Sequence, residues 1–318
     1  MSIENKLVSV VMPTYNVAKF IKESVYSILN QTYKNIEFVI VDDFSTDGTY
    51  EILLELASLD NRIKLFRNPV NSKIAKSLNY GLKVATGHYI ARMDGDDISV
   101  LDRIEKQVAY LIANPEIHLA GINMILINES GEEIKRVEYF SKPQNSYKLI
   151  TLFSPVPHFW LTYKWVYDQV GEYRIPKAED YDFLLRMTTM KLNFCNVQDY
   201  LIKYRIRDGN TATHSGLEQR KLLQYGLNLY KERVKSNSLK DSYSDSEFER
   251  IRNSSKLEEF IFSISNYFLF KCAMNKDNNK LFAIFYLFLS VCFSPFYQSM
   301  YFVRKYKYNK IIINDLNS

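Results

Sequence analysis

The sequence predicts an α/β fold, in which a Rossmann-like, mostly parallel sheet carries helices on both faces and a C-terminal helical, membrane-associating region follows. Three observations support this prediction. Short apolar runs alternate with stretches of helical periodicity over residues 8–93. The runs end in acidic or polar residues, and the carboxyl edge of such a sheet is where ligands bind. Residues beyond about 250 are apolar, aromatic and basic.

Four strands and three helices are expected in this region. The apolar runs predict strands over 8–12, 36–41, 63–66 and 88–93. The first helix is expected after Asn16, which can cap it, and the second after the polar turn 45–48. The third is expected over 73–85, with Gly87 placed to end it. The carboxyl ends of three strands should therefore meet at one edge of the sheet.

The acidic residues after the fourth strand are the most informative feature of the sequence. Asp94, Asp96 and Asp97 occupy three of four positions. Because side chains alternate along a strand, Asp94 and Asp96 are expected on the same face. Carboxylates suit Mg²⁺ or Mn²⁺. Taken alone, the same residues fit a solvated acidic turn. The sequence has no glycine-rich phosphate loop, so metal and basic side chains would have to meet the charge of a bound diphosphate.

Four blocks of sequence together resemble glycosyltransferase family 2, the inverting enzymes with the GT-A fold. They are VSVVMPTYN at 8–16, VDDFSTDGT at 41–49, MDGDD at 93–97 and AEDYD at 178–182. The blocks occur in the order of the family and cover about residues 6–210. The resemblance implies a nucleotide-sugar donor, a UDP-hexose or UDP-N-acetylhexosamine, and a divalent metal, Mn²⁺ or Mg²⁺.

The resemblance also implies roles for individual residues on the donor side. Tyr15 would border or stack on the base, and Asp43 would accept a hydrogen bond from a base N–H. Asp94 would face the ribose or a metal-bound water, and Asp96 would bind the metal directly. The positions expected to bind the nucleotide sugar are Pro13, Tyr15, Asn16, Asp43, Lys76 and Asp94. Two departures from the family pattern are Arg92, where many relatives carry an apolar residue, and Lys76, near the place of an Arg-Asn pair.

Inverting transfer needs a base that takes the proton of the attacking hydroxyl. Asp180 matches the general base of the family, and Glu179 stands beside it at the start of a helical pattern. Carboxylates are also favoured at a helix N-terminus without any chemistry, and that alternative stays open. Asp182 is the fallback base. Arg186 is a candidate on the acceptor side, with a surface salt bridge as the alternative.

The loop 154–160 and the segment after 203 offer further candidates. His158, Phe159 and Trp160 supply rings on which an acceptor sugar could stack, although a core-packing loop is an equal alternative. Downstream, Arg205 and Arg207 are candidates to close over the diphosphate. His214 is a candidate metal ligand, with a solvent-facing histidine as the alternative.

The whole formal charge of +5 lies in the C-terminal part of the chain. Residues 251–318 hold nine Lys/Arg and four Asp/Glu, while 260–270 and 281–303 are uncharged. Helices that lie in a membrane interface, held by aromatic and basic residues, fit this pattern better than a spanning helix. A helical pair packed on the catalytic domain is the remaining alternative. Neither a nucleic-acid motif nor a signal peptide is recognisable, and three widely spaced cysteines indicate no disulfide framework.

These observations predict a catalytic domain over 1–215, with a donor half over about 1–115 and an acceptor half over about 116–215. A helical region over 216–318 is expected to follow, with a polar linker at about 235–250. The predicted function is metal-dependent inverting sugar transfer to a lipid-linked saccharide, at the cytoplasmic face of the inner membrane, in bacterial O-antigen or capsule synthesis. The alternatives are a sugar-nucleotide nucleotidyltransferase and a non-catalytic binding protein of the same fold.

Overall fold

The computed structural model of this protein describes residues 5–207, 216–275 and 279–316. Within these residues, nine strands form one mixed sheet in the order β3-β2-β1-β4-β8-β6-β9-β5, and β7 pairs with β6. The strands are β1 Val8–Thr14, β2 Ile36–Asp42, β3 Ile63–Arg67, β4 Tyr89–Arg92, β5 Ile98–Ser99, β6 Ile117–Ile127, β7 Glu133–Val137, β8 Leu161–Tyr163 and β9 Asn193–Arg205.

The N-terminal half of the sheet is parallel, as the sequence predicts. β1 pairs with β2 on one side and with β4 on the other, and β2 pairs with β3. Every residue of β1 and β2 is buried, which is typical of strands covered on both faces. The parallel register brings the ends of β1, β2 and β4 to one edge, with Thr14 opposite Asp42.

The second half of the sheet is mixed, and the sequence did not identify its strands. β8 runs antiparallel to both β4 and β6, while β6 runs parallel to β9. The β6–β9 register shifts at several points, and such irregularity weakens the simple alternation by which strands are recognised. This half carries the end of β9 back to β5, just after the acidic turn.

Helices connect and cover the strands. They are α1 Ile21–Leu29, α2 Thr49–Leu59, α3 Ile74–Val84, α4 Arg103–Ala113, α5 Ser146–Leu149, α6 Lys164–Val170, α7 Glu179–Thr189, α8 Leu217–Ser236, α9 Asp245–Arg252, α10 Lys256–Asn275, α11 Lys280–Phe293 and α12 Pro295–Leu316. The expected α1 begins later than predicted: Asn16 has a positive φ of 51° and its Oδ1 accepts a hydrogen bond from the Thr46 N–H, so it does not cap the helix.

Gly87 also differs from its predicted role. α3 ends at Val84 with Ala85 as its C-cap, and Gly87 lies two residues beyond Ala85. A Cβ atom at Gly87 would come within 2.6 Å of the Ser9 backbone nitrogen. The glycine therefore permits the close approach of this turn to β1, and it is not a helix cap.

The segment expected as a polar linker is tied to the rest of the protein. It contains most of α9, and the side chain of Asp241, 4% exposed, lies against two arginines. Arg174 Nη2 lies 3.1 Å from Asp241 Oδ2, and Arg233 pairs with the same carboxylate. Arg174 also holds Asp182 of α7 at 2.8 Å. The helical region is thus connected to the helix that carries the predicted base.

The tail helices α10, α11 and α12 divide into two parts. α10 and α11 pack against each other, and Ser265 of α10 donates a hydrogen bond to the Ser290 carbonyl of α11. α12 packs on the main core through Tyr308, Ile311 and Ile312. Many large apolar side chains of α10 and α11 are exposed, among them Phe260, Phe270, Leu281, Phe282, Ile284, Phe285 and Phe288. Among the described residues, none of the helices is both long and apolar enough to cross a bilayer.

Candidate active site

A cavity of about 410 Å³ opens at the carboxyl edge of β1 and β4, facing the N-terminus of α7. We call it the carboxylate cleft. Its lining residues come from the three sheet ends, from α3, α7 and α8, and from the loops around them. They are Pro13, Thr14, Tyr15, Val17, Asp43, Asn71, Lys73, Ile74, Ser77, Arg92, Asp94, Gly95, Asp96, His158, Lys177, Glu179, Asp180, Tyr204, Arg207 and Gln219.

Arg92, the last residue of β4, links the two acidic groups of the cleft. Its Nε lies 3.5 Å from Asp94 Oδ1 and its Nη2 lies 3.4 Å from Glu179 Oε1. The guanidinium is 3% exposed. Burial alone would lower the pKa of Arg92, but the negative charges of Asp94 and Glu179 outweigh it and raise this pKa. Arg92 is therefore a permanent positive charge between the sheet and α7.

Asp94, Asp97 and His158 form the group of side chains that can hold a metal ion. Their ligand atoms lie within 4.8 Å of one another. His158 Nε2 lies 3.1 Å from Asp94 Oδ2. In the part of the chain that the structure describes, Asp97 Oδ2 is buried and has no hydrogen-bond partner, while the Asp94 oxygens face Arg92 and His158 at 3.5 and 3.1 Å. A buried acceptor without a donor is expected where a cation fits, and two carboxylates with an imidazole suit Mn²⁺ or Mg²⁺.

The acidic turn, Asp94 to Asp97, places three carboxylates close together, and their pKa values are shifted. Burial tends to raise the pKa of Asp94, but Arg92 and His158 outweigh burial and hold it well below its usual range. Burial and then the charges of Asp96 and Asp94 raise the pKa of Asp97 well above its usual value. Burial likewise raises the pKa of Asp96, with Arg207 acting in the opposite direction. Three carboxylates so close together favour a cation.

Asp96, the predicted direct metal ligand, is paired with a basic side chain. Arg207 Nε donates a hydrogen bond to Asp96 Oδ2 at 2.6 Å, and both residues line the cleft. Arg205 takes a different place: it is 2% exposed, and its backbone N–H donates to Asp97 Oδ1 at 2.7 Å. Arg205 supports the acidic turn and does not line the cleft, contrary to the expectation that it closes over the diphosphate. His214 lies outside the described residues.

The predicted donor residues divide between the cleft and its walls. Pro13, Tyr15 and Asp43 line the cleft, and the Tyr15 ring is 47% exposed. Asp43 holds the loop before α3, because its oxygens accept hydrogen bonds from Ser72 N at 2.7 Å and Lys73 N at 2.8 Å.

Asn16 and Lys76 do not line the cleft. Asn16 instead joins the turns after β1 and β2. Lys73, which has a positive φ of 72°, lines the cleft in place of the expected Lys76.

The predicted base, Asp180, lines the cleft. Asp180 is half-buried and is the second residue of α7, and Glu179 before it is buried. Burial raises the pKa of Glu179, although Arg92 opposes the rise. The fallback base is excluded by its contacts: Asp182 is fully buried, with Arg174 Nη2 at 2.8 Å from Oδ1 and Arg186 Nε at 2.9 Å from Oδ2.

Arg186 and Trp160 were expected to face the acceptor and do not. Arg186 is buried on α7, where it binds Asp182 and donates to the Glu172 carbonyl at 2.8 Å. Trp160 is fully buried, and its indole N–H donates to the Tyr167 hydroxyl at 2.9 Å. Both side chains stabilise the core around α7. Of the aromatic loop, His158 alone among its three predicted residues lines the cleft.

Several cleft residues were not assigned by sequence reasoning. Asp97 was noted as acidic but not as part of the metal group, because its fully buried position depends on β9 and Arg205. Lys177 comes from the loop before α7, Tyr204 from β9 and Gln219 from α8, and no local pattern marks them. The signal for Arg92 was present: a charged residue in an apolar strand, at the place where many relatives have an apolar one.

Comparison with known proteins identifies the family. Residues 9–171 match the family Glycosyl transferase family 2. The EpsE protein of Bacillus subtilis (strain 168) is 36% identical over 64% of this chain and 74% of its own. The O-antigen biosynthesis glycosyltransferase WbnJ of Escherichia coli is 32% identical over 74% of this chain and 94% of its own. The chain therefore belongs to glycosyltransferase family 2 and is a glycosyltransferase, which sets aside the nucleotidyltransferase and non-catalytic alternatives.

A further relative and two solved structures extend the comparison. WfgD of Escherichia coli, a UDP-Glc:alpha-D-GlcNAc-diphosphoundecaprenol beta-1,3-glucosyltransferase, is 38% identical over 40% of this chain and 49% of its own. The fold is similar to S. aureus TarS 1-349 in complex with UDP-GlcNAc, with a TM-score of 0.58, 18% identity, and coverage of 94% and 92% of the two chains. It is also similar to the mannosyltransferase PcManGT of Pyrobaculum calidifontis in complex with GDP-Man and Mn²⁺, with a TM-score of 0.56, 18% identity, and coverage of 95% and 87%. The predicted GT-A fold is confirmed.

Proposed function

We propose that this glycosyltransferase moves a hexose or N-acetylhexosamine from a UDP-linked donor onto a saccharide acceptor with inversion at the anomeric carbon. One observation carries the proposal: Asp94 and Asp96 after β4 share one cleft with Asp180 at the start of α7. A cleft of about 410 Å³ lies within the size range of small-molecule sites. The half-exposed Tyr15 ring offers a stacking surface for a base at its edge.

In this mechanism, Asp180 takes the proton of the acceptor hydroxyl as its oxygen bonds to the anomeric carbon. The bond from that carbon to the donor phosphate oxygen breaks, and the nucleoside diphosphate leaves with the electron pair. Arg92 and the buried Glu179 hold the N-terminus of α7 against β4, so that Asp180 keeps its position opposite the acidic turn. We infer that Arg92 acts as a positioning residue.

Asp94, Asp97 and His158, with Asp96 as the further candidate, are the residues that would hold Mn²⁺ or Mg²⁺. The ion, when bound, supplies stabilisation of the negative charge on the departing diphosphate. Arg207 adds a positive charge on the same side, since it lies 2.6 Å from Asp96 Oδ2. Arg207 contacts Oδ2 of Asp96, so direct binding of the ion through Oδ1 would leave this pair intact.

The proposed acceptor is a lipid-linked saccharide, as in the synthesis of a bacterial O-antigen or capsule. The names of WbnJ and WfgD support this assignment. The exposed aromatic side chains of α10 and α11, with basic residues flanking the apolar segments, suit peripheral binding at the cytoplasmic face of the inner membrane.

A donor screen tests the proposal. Purified protein with Mn²⁺ and a synthetic lipid-diphosphate saccharide is offered UDP-hexoses, UDP-N-acetylhexosamines and GDP-Man, and nucleoside diphosphate release is measured. We expect release with a UDP-sugar, and an anomeric configuration in the product that is opposite to that of the donor by nuclear magnetic resonance. Retained configuration, or transfer from GDP-Man in preference to every UDP-sugar, contradicts the proposal.

A further inference from the structure

A second cavity lies behind the carboxylate cleft, between α8, α12 and the loop after α5. Its volume is about 160 Å³. Gln219 lines both cavities, and Tyr181, which follows Asp180 in α7, lines the second one. The cavity is therefore next to the predicted base. It is smaller than sites that enclose a whole ligand, which hold about 300–1,000 Å³, and its size suits a single small group of a larger molecule.

Two arginines, Arg220 of α8 and Arg304 of α12, form the charged part of this cavity, which we call the arginine pocket. Both are partly buried, and burial lowers the pKa of each. Within the described residues, neither side chain has a carboxylate within ion-pair distance. Arg304 Nη2 donates to the neutral Gln224 at 2.7 Å. Partly desolvated guanidinium groups without a counter-charge are unusual in a protein, and an anion would stabilise them.

Apart from Ser154 and Gln219, the remaining walls of the arginine pocket are apolar and aromatic. Phe153, Tyr297 and Tyr301 line it together with aliphatic side chains. The Arg220 guanidinium lies 4.3 Å from the Tyr301 ring centroid and 5.7 Å from that of Phe262 on α10. The pocket thus continues from the charged groups toward α10, whose exposed apolar side chains include Phe260.

A carboxylate near this region is already neutralised. Burial and then the charge of Glu258 of α10 raise the pKa of Tyr297, but Glu258 Oε2 lies 2.9 Å from Lys221 Nζ. The uncompensated charge that lines the pocket is therefore positive.

We propose that the arginine pocket binds the phosphate or diphosphate group of an amphipathic, lipid-linked acceptor, with Arg220 and Arg304 as the anion ligands and the aromatic walls beside the start of its apolar chain. The inference rests on the proposed function. With this arrangement, one acceptor molecule can reach both the carboxylate cleft and the exposed apolar side of α10. Its saccharide enters the cleft past Gln219, and its phosphate binds the two arginines. Its apolar chain then lies along the exposed side of α10. Guanidinium groups match phosphate oxygens in geometry and charge.

Binding of dodecyl phosphate, below its critical micelle concentration and without metal or donor, tests the proposal by isothermal titration calorimetry. We expect the wild-type protein to bind it and the Arg220→Gln/Arg304→Gln variant to lose roughly tenfold or more in affinity, as for loss of charge-assisted hydrogen bonds. Arg220→Lys/Arg304→Lys keeps the charge and should retain part of the affinity. Lys231→Gln, on the exposed side of the same α8, should bind as the wild type does.

Two further ligands test separately whether the pocket recognises the phosphate group alone or the apolar chain alone. Inorganic phosphate and dodecyl maltoside should each bind at least roughly tenfold more weakly than dodecyl phosphate, because each provides half of the recognised chemistry. Equal binding of inorganic phosphate would identify a free-anion site and overturn the lipid assignment. Equal binding of dodecyl maltoside, or an unchanged affinity in the Arg→Gln variant, would overturn the role of the arginines.

UDP binding in the presence of Mn²⁺ is measured on the same variants and should be unchanged. A wild-type protein that binds no UDP contradicts the proposed function, whereas normal UDP binding with unchanged dodecyl phosphate affinity in the variant contradicts this inference alone. If the double variant does not fold, Arg304→Gln, which loses the hydrogen bond to Gln224, provides the same comparison.

Discussion

Arg92 of the sheet and Glu179 of α7 lie 3.4 Å apart between Nη2 and Oε1, and both side chains are buried. This pair connects the strand that ends in the acidic turn to the helix that carries the predicted base. Arg92 thus connects the donor side of the cleft to its acceptor side.

Replacing Arg92 with Met should therefore affect both stability and activity. The change leaves Asp94 and Glu179 buried without their counter-charge, which costs about 3–5 kcal/mol for a buried pair. The urea midpoint of unfolding measures the loss, and transfer activity should fall with it. Arg136→Met is the control, since Arg136 pairs with Glu133 on the surface and should leave the urea midpoint nearly unchanged. An Arg92→Met enzyme as stable and active as the wild type would refute the bridging role.

Asp180→Asn should separate chemistry from folding. The amide keeps the size of the side chain but cannot take a proton, so turnover should fall by roughly 10²–10⁴-fold while UDP affinity stays the same. Asp182→Asn is the contrasting variant: it weakens the pairs with Arg174 and Arg186 and should lower the melting temperature. Near-normal turnover in Asp180→Asn would mean that the base is another residue, with Glu179→Gln as the next variant to assay.

Metal dependence is tested at Asp96 and His158. Asp96→Ala should abolish transfer without unfolding the protein, and EDTA should inhibit the wild type reversibly. His158→Gln should weaken Mn²⁺ binding, measured by electron paramagnetic resonance, because it removes one member of the Asp94–Asp97–His158 group. Asp102→Ala, at a surface pair with Lys106, is the control. Full activity in EDTA is the result that contradicts a metal-dependent enzyme.

Glu37 should make stability depend on pH in the acid range. Burial alone would raise the pKa of Glu37, but hydrogen bonds from Lys64, Ser9 and Thr86 outweigh it and lower the pKa to about 2. Because the folded-state pKa lies below the unfolded value of 4.5, the ionised carboxylate stabilises the protein above that pH, and the contribution is lost as the pH falls toward 2.

Glu37→Gln should consequently lower the free energy of unfolding by about 1–3 kcal/mol at pH 7 and by progressively less below pH 4.5. Urea unfolding at a series of pH values measures the difference. Glu55→Gln, an exposed residue of α2 that pairs with Lys22 at 3.5 Å, should show little change throughout. A difference between wild type and Glu37→Gln that stays constant down to pH 2 is inconsistent with the lowered pKa.

The exposed aromatic surface of α11 should bind membranes. Changing Phe282, Phe285 and Phe288 to Ser removes three side chains that are 53–63% exposed, so the fold should survive. Co-sedimentation with phosphatidylglycerol vesicles should weaken by roughly tenfold or more, because each ring loses apolar burial. Serine at Leu54 and Leu59, exposed on α2, is the matched control. Equal vesicle binding by both variants would assign these helices to another partner.

The parallel half of the sheet could be predicted because its strands are local, apolar and followed by clear turns. The four predicted strands occur at the expected places, and the acidic turn follows β4 as proposed. The mixed half of the sheet could not be predicted, because β6 and β9 are separated by more than seventy residues in the sequence and their pairing contains register shifts. The same limit applies to side chains: Trp160 and Arg186 have the chemistry of a binding site, and only the packing of α7 shows that they are buried.

The network of Arg174, Asp182, Asp241 and Arg233 has a consequence for shortening this protein. A chain that stops at Ser236 would lack Asp241 and leave Arg174 and Arg233 without one of their partners. Arg174 would still hold Asp182 and α8 would still contact α7, but the carboxylate that joins Arg174 to Arg233 would be missing. The boundary after α8 is thus an unsuitable place to shorten the protein. Exchanging the C-terminal helices between related enzymes would require all four charged residues of this network to be transferred together.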